Sequence, residues 1–199
     1  MRTGSGKIKA LLFSLCLSCL MFDAGFVAGA QAEEITVTTA KKMWEDCERK
    51  GSFAVVNALT EGDGKQWDEV LAKVSSGDDG WIDASACLSI SVFYSDVIKS
   101  HWLNIAWAKA LPKNPWGVLG LEELGISTVA ACSMPFIYPP DGNGPGPEFV
   151  EAYVKDTLQA LKTVTGPVMG PDREDCERHL KDAYERYKNR KEQFPESGN

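Results

Sequence analysis

Apolar side chains recur every three or four positions from Ala40 to Tyr187, the spacing of amphipathic helices. In TTAKKMWEDCERKG the stripe is Ala40, Met43, Trp44 and Cys47, with Thr38 or Thr39 placed to cap and Gly51 to stop the helix. SFAVVNALTEGDG predicts a short second helix ending by Gly62. In GKQWDEVLAKVSSG, Trp67, Val70, Leu71 and Val74 share one face and Gly77 marks the end. DDGWIDASACLSISV predicts a fourth helix. Asp78 or Asp79 is its N-cap, and the acidic charge suits the positive end of the helix dipole. SISVFY has a strand-like composition, but a lone strand has no partner here, so a loop is expected after that helix.

SDVIKSHWLNIAWAKALPKNP is the clearest long helix. Ser95 is its expected cap, Ile98, Trp102, Leu103 and Ile105 are its apolar positions, and Pro112 ends it. Asn114 then caps again, with Pro115 at a first helical position where a missing N–H costs nothing. ISTVAACSMP adds one or two turns. From Met134 to Phe149, proline and glycine predict an irregular spacer, of a length that in other domains is sometimes functional. Two strong helices follow, the first through Phe149, Val150, Tyr153, Val154, Thr157, Leu158 and Leu161. The second runs through Cys176, Leu180, Ala183, Tyr184 and Tyr187. On its polar side Glu174–Arg178, Glu177–Lys181 and Asp182–Arg186 each place an acid four residues before a base, which predicts a solvated face. The expected fold class is all-α: a single disulfide-linked helical bundle, or a short helical-repeat-like array, over residues 33–194, with 195–199 a frayed tail.

The N-terminus sets the compartment. Arg2, Lys7 and Lys9 precede the uncharged apolar run Ala10–Phe22, and Ala30 and Ala32 fit the small-x-small rule of signal peptidase. Residues 1–32 therefore read as a signal peptide cleaved after Ala32. The apolar run falls short of the roughly 20 residues that a membrane-spanning helix needs, and no later segment is longer. Cys19 has Cys16 where a bacterial lipid-attachment box usually has leucine, so lipidation is not expected. The expected location is periplasmic or secreted.

Losing Arg2, Lys7, Lys9 and Asp23 with the signal takes the net charge from −7 to −9. Such a chain repels nucleic acid, and no basic footprint is visible. The 167 residues that remain suit one domain with a real core.

Cysteine usage then narrows the chemistry. Cys47, Cys87, Cys132 and Cys176 remain after cleavage, an even number in an exported chain, which points to two disulfides. Zinc ligands come in close pairs, and no such pair or C-x-x-C motif is present after residue 32. Four cysteines allow three pairings. Cys47–Cys87 with Cys132–Cys176 is the pairing taken here, each bond joining helices across a long loop.

No catalytic constellation accompanies them. His101 and His179 form no H-x-x-x-H pattern, and no G-x-S-x-G elbow occurs. GNGPG lacks the strand and the Lys-Ser/Thr of a phosphate loop, and the acidic turns EGDGK and SGDDG lack calcium-loop spacing. Glu122 and Glu123 are adjacent on a helix and do not face the same way. The expectation is a non-catalytic protein with no metal and no cofactor. Six tryptophans are a high load; most lie on apolar stripes, but Trp102 and Trp107 point to different sides of one helix. Exposed aromatics are enriched at binding hot spots. The expected partner surface is Trp102, Trp107, Trp116, Tyr138, Asp141 and Asn143.

WDEVLAKVSSGDDGWI from Trp67, AKALPKNPWGVL from Ala108 to Leu119, CSMPFI from Cys132 and DCERHL around Cys176 resemble small exported bacterial proteins of uncharacterised function. The resemblance spans roughly residues 67–180. It implies an all-helical periplasmic domain, favours Cys132–Cys176, and brings no catalytic residues. Cys47 and Cys87 fall outside it, so their pairing rests on arithmetic. In size, export signal and disulfides the chain more loosely resembles type VI secretion immunity proteins. The expected function is binding another protein of the cell envelope, as an immunity or inhibitor protein does. The alternatives are a structural or assembly component, or a cell-wall enzyme with two carboxylates converging in a cleft.

Overall fold

Several of the helices begin at a capping side chain. The computed structural model describes residues 38–137 and 144–193, all within the compact unit Ile35–Asn199. The signal segment, the cleavage position, the tail 195–199, and Tyr138, Asp141 and Asn143 lie outside the described residues. Helix α1 (Ala40–Lys50) starts at Thr39, whose hydroxyl accepts from the Lys42 N–H at 3.1 Å. Next come α2 (Ser52–Thr60), α3 (Lys65–Ser75) and α4 (Asp79–Ser95). Helix α4 starts at Asp78, whose carboxylate accepts from Trp81 N–H at 3.1 Å.

The joint between α4 and α5 (Val97–Ala110) departs from the sequence expectation. No loop follows Val92; α4 runs on to Ser95, and a single extended residue, Asp96, separates the two helices. Asp96 is also the cap, accepting from Lys99 N–H at 3.0 Å. Ser95 cannot serve as the cap, because its hydroxyl bonds back to the Ser91 carbonyl at 2.6 Å, as serines inside helices do.

After α6 (Pro115–Gly120) and a 3-10 turn (Leu121–Leu124) come α7 (Val129–Cys132), a second 3-10 turn (Pro135–Ile137), α8 (Pro147–Leu161) and α9 (Gly170–Gln193). The stretch from Met134 to Phe149 is thus not irregular throughout, since it contains a 3-10 turn and the start of α8. Among the described residues there are nine α-helices and no strand, so the fold is all-α.

Helix α5 is the centre. It packs against α3, α4, α6, α7 and the Pro135–Ile137 turn. Leu103, Ile105, Ala106, Trp107 and Ala108 are all buried, which requires neighbours on nearly every side. Helices α1 and α2 rest on α4, while α9 packs on α7 and α8. The Tyr153 hydroxyl on α8 donates to the Ala108 carbonyl at 2.9 Å, and its ring meets Phe136 edge-on at 4.6 Å. Burial pushes that phenol well above its ordinary pKa, so it stays a donor. Disulfides join Cys47 of α1 to Cys87 of α4, and Cys132 of α7 to Cys176 of α9. On α9, Glu177 pairs with Lys181 at 3.3 Å as the spacing predicts, but Glu174 meets Arg173 at 2.9 Å and Arg178 turns to Asp175.

Asn114 ties two distant turns together. Its Oδ1 accepts from Gly117 N–H at 2.9 Å and caps α6. Its amide donates to the Gly77 carbonyl at 2.9 Å and to the Asp79 carboxylate. A Cβ on Gly117 would lie 2.8 Å from the Asn114 amide nitrogen, so only glycine leaves room. SGDDGW and KNPWG, two of the segments that carry the resemblance, are therefore one structural joint. Asn114→Ala is expected to lower the unfolding free energy by about 1–2 kcal/mol, since it removes a cap and leaves the half-buried Gly77 carbonyl without this partner. Urea denaturation would measure this; a loss within error would show that the joint is not needed.

Asp46 on α1 is a fully buried carboxylate. It accepts from Lys42 at 2.5 Å and Arg49 at 3.1 Å, with Lys50 at 3.7 Å. Burial pushes its pKa up, but the hydrogen bonds from Lys42 and Arg49 and the charges of Lys42 and Lys50 outweigh this and hold it below the usual range. A depressed carboxylate stabilises the fold above its unfolded pKa, and that stabilisation disappears as pH falls through the folded value. Asp46→Asn is therefore expected to cost about 1 kcal/mol at neutral pH, because the basic partners remain partly solvated. The gap from the parent protein should close below about pH 4. Denaturation at a series of pH values tests this, and a pH-independent gap would contradict it.

Candidate functional site

A groove of about 620 Å³ lies between the second half of α4, the middle of α5 and the segment 124–130. Its position follows from the helix joint. Helix α4 continues to Ser95, and its last two turns are exposed on one side. Ile90 is 62% exposed and Phe93 71% exposed on that side. Opposite them stand Leu124 and Val129, also exposed. Leu124 ends the 3-10 turn, where Gly125 takes a φ of 76° that other residues adopt only with strain. The Glu122 carboxylate fixes the wall on this side, accepting from the Thr128 N–H at 2.6 Å and its hydroxyl at 2.9 Å just before α7. The Cys132–Cys176 bond anchors the far end of α7.

Leu103 and Trp107 form the floor, and both are buried. The Trp107 N–H donates to the Ser85 hydroxyl at 2.8 Å, so the indole presents only carbon to the groove. The fourteen lining residues include no Asp, Glu, Lys, Arg or His, although 25% of the chain is charged. Two of the groove's four polar side chains bond to their own helices: the Ser89 hydroxyl donates to the Ala86 carbonyl at 2.7 Å, and the Asn104 amide to the Ser100 carbonyl at 3.0 Å. The groove can therefore cover hydrocarbon, and its chemistry offers little to a charged group.

The residues expected to form a partner surface are not gathered there. Trp107 is only 2% exposed and serves as floor. Trp102 is partly exposed and lines a different groove, of about 480 Å³, between α3 and α5, with Asp68, Lys109 and Lys113. Trp116 is exposed on α6, away from both. Sequence reasoning missed Ile90, Phe93, Leu124 and Val129. One signal was present: α4 carries Leu88 and Val92 on one side and Ile90 and Phe93 on another, more apolar positions than a single buried face uses.

A third, polar cleft of about 340 Å³ lies over the Cys132–Cys176 bond and is lined by Glu122, Asp172, Asp175 and His179. Glu122 is occupied by Thr128, and Asp175 by Arg178 and by His179 at 3.3 Å. The Nε2 of His101 is buried with no hydrogen-bond partner among the described residues. Among those residues no group of three or more His, Cys, Asp or Glu side chains is placed to hold a metal ion, and no helix is long and apolar enough to cross a membrane. Comparison of the chain with protein-family models, curated proteins and solved structures found no match.

Proposed function

We propose that this is an exported, non-catalytic protein of the periplasm or the extracellular space that binds another protein of the cell envelope, as an immunity or inhibitor protein does. The groove between α4, α5 and residues 124–130 is its docking face. The observation that carries this reading is the groove's uncharged lining, bordered by exposed Ile90, Phe93, Leu124 and Val129. Large apolar side chains grouped around one concavity are what interface cores use, whereas scattered ones need no explanation. Export is supported by the signal-like N-terminus and by two disulfides, which persist in oxidising compartments.

The test is affinity capture from envelope extract with the tagged chain, compared with Ile90→Glu, Leu124→Glu and, as a control, Val168→Glu. Val168 is 69% exposed and outside the groove. Wild type and control are expected to retain one stoichiometric partner that the groove variants hold about tenfold less well. Recovery of no such partner, or equal recovery by all four proteins, would overturn the proposal.

The polar cleft favours a second reading. Acidic side chains from the segment around Glu122 and from α9 meet there beside His179, the arrangement that a carboxylate-dependent cell-wall hydrolase needs. Release of soluble fragments from purified cell wall, lost in Asp172→Asn, would establish it and displace the binding reading.

A further inference from the structure

We infer that the partner engages the groove with the apolar face of an amphipathic helix. This rests on the docking reading above and adds the form and chemistry of the bound element. Proteins receive peptide elements in few ways, and the surroundings of this groove exclude most of them. Strand addition needs an open sheet edge, and there is no strand among the described residues. Capture of a phosphorylated or acidic motif needs arginines, and the lining has no charge. Polyproline recognition needs a row of exposed aromatic rings; Phe93 is exposed, but the Trp107 ring is buried in the floor.

Two walls of apolar side chains remain, Ile90 and Phe93 on one and Leu124 and Val129 on the other. Between them lies a carbon floor. A helix inserted there presents apolar residues at i, i+3 or i+4, and i+7 and satisfies its own backbone, so it asks for no hydrogen bonds from the groove. The chain is acidic overall while the groove is neutral. The complement is therefore a helix with an uncharged inner face and basic residues on its flanks, which the surrounding field attracts.

The experiment uses the full chain and synthetic peptides of about 18 residues, or five helical turns. Leu, Ile, Phe or Met occupies the anchor positions, with Ala and Lys elsewhere, and each peptide has a scrambled control of the same composition. Titration calorimetry reads the affinity, and amide chemical shifts read the location. At least one patterned peptide is expected to bind about tenfold tighter than its scramble. Ile90→Glu and Leu124→Glu are expected to remove that margin, and Val168→Glu to keep it. Equal binding of patterned and scrambled peptides would overturn the inference. So would shifts at the groove from monomeric dodecyl maltoside without any from the peptides, which would make the occupant an acyl chain. Self-association of the wild type that is lost in Ile90→Glu would also overturn it, by making the occupant a second copy. If the groove variants lose the captured envelope protein while no patterned peptide binds, the docking reading stands and the helix inference falls. If capture is indifferent to those variants, the docking reading itself falls.

Discussion

Replacing Trp107 with alanine is expected to lower the unfolding free energy by about 3–5 kcal/mol, the range for truncating a buried tryptophan. The indole is 2% exposed on α5, the helix against which α3, α4, α6 and α7 pack. Its removal leaves a void and withdraws the hydrogen bond to Ser85. Trp107→Phe separates the two contributions. It keeps most of the ring volume and loses the N–H, and it is expected to cost about 1–2 kcal/mol. The Ser85 hydroxyl still donates to the Ile82 carbonyl at 2.6 Å, so it is not left without a partner. Urea denaturation of both variants measures the difference, with the slope checked for unchanged two-state behaviour. A loss below about 1 kcal/mol for the alanine variant would show that the ring does not pack as described. Because Trp107 is also the groove floor, its truncation should enlarge the groove and weaken partner binding as well as stability.

Removing the α7–α9 disulfide by the double change Cys132→Ala and Cys176→Ala is expected to cost about 2–5 kcal/mol. The bond closes a sequence separation of 44 residues, for which the chain-entropy model gives roughly 4 kcal/mol. Both sulfurs are buried, so their loss also leaves unfilled space. The effect should extend beyond global stability. Helix α7 has only four residues and cannot persist without tertiary support. With the bond gone, Glu122 and the contact with α5 must hold the wall that carries Val129, and amide exchange should rise there before it rises in α5. Equal exchange in the two helices would mean that the bond acts only on the unfolded chain. Thiol titration of the denatured, unreduced protein gives the prior check: no reactive group is expected from Cys47, Cys87, Cys132 or Cys176, and four would contradict both disulfides.

The helices were legible because their signals are local. Thr39, Asp78 and Asn114 cap where the pattern puts them, and Met43, Val70, Val74, Leu161 and Leu180 are buried where the period points them inward. The joint at Asp96 was not legible. Ser95 and Asp96 are both good caps, and the choice between them depends on whether α4 has neighbours that let it continue, which a window of sequence does not contain. The groove was less legible still. Ile90 and Phe93 are separated by about thirty residues from Leu124 and Val129, and only the path of the intervening helices through the fold brings the two pairs face to face. Tryptophan content drew attention to Trp107, but an amphipathic pattern does not say which of two apolar faces is covered. Here Trp107 became the floor, while Ile90, Phe93, Leu124 and Val129 stayed on the rim.

The sequence by itself determined the helix class, the caps at Thr39, Asp78 and Asn114 and the even set of cysteines, because backbone propensity and capping act within a turn. Only the tertiary structure decided which apolar face of α4 remains open, that Asn114 joins two turns nearly forty residues apart, and that Glu122 serves as a brace for α7. Each of these depends on what another helix places alongside, and burial and hydrogen-bond satisfaction are properties of the assembled neighbourhood rather than of any one segment.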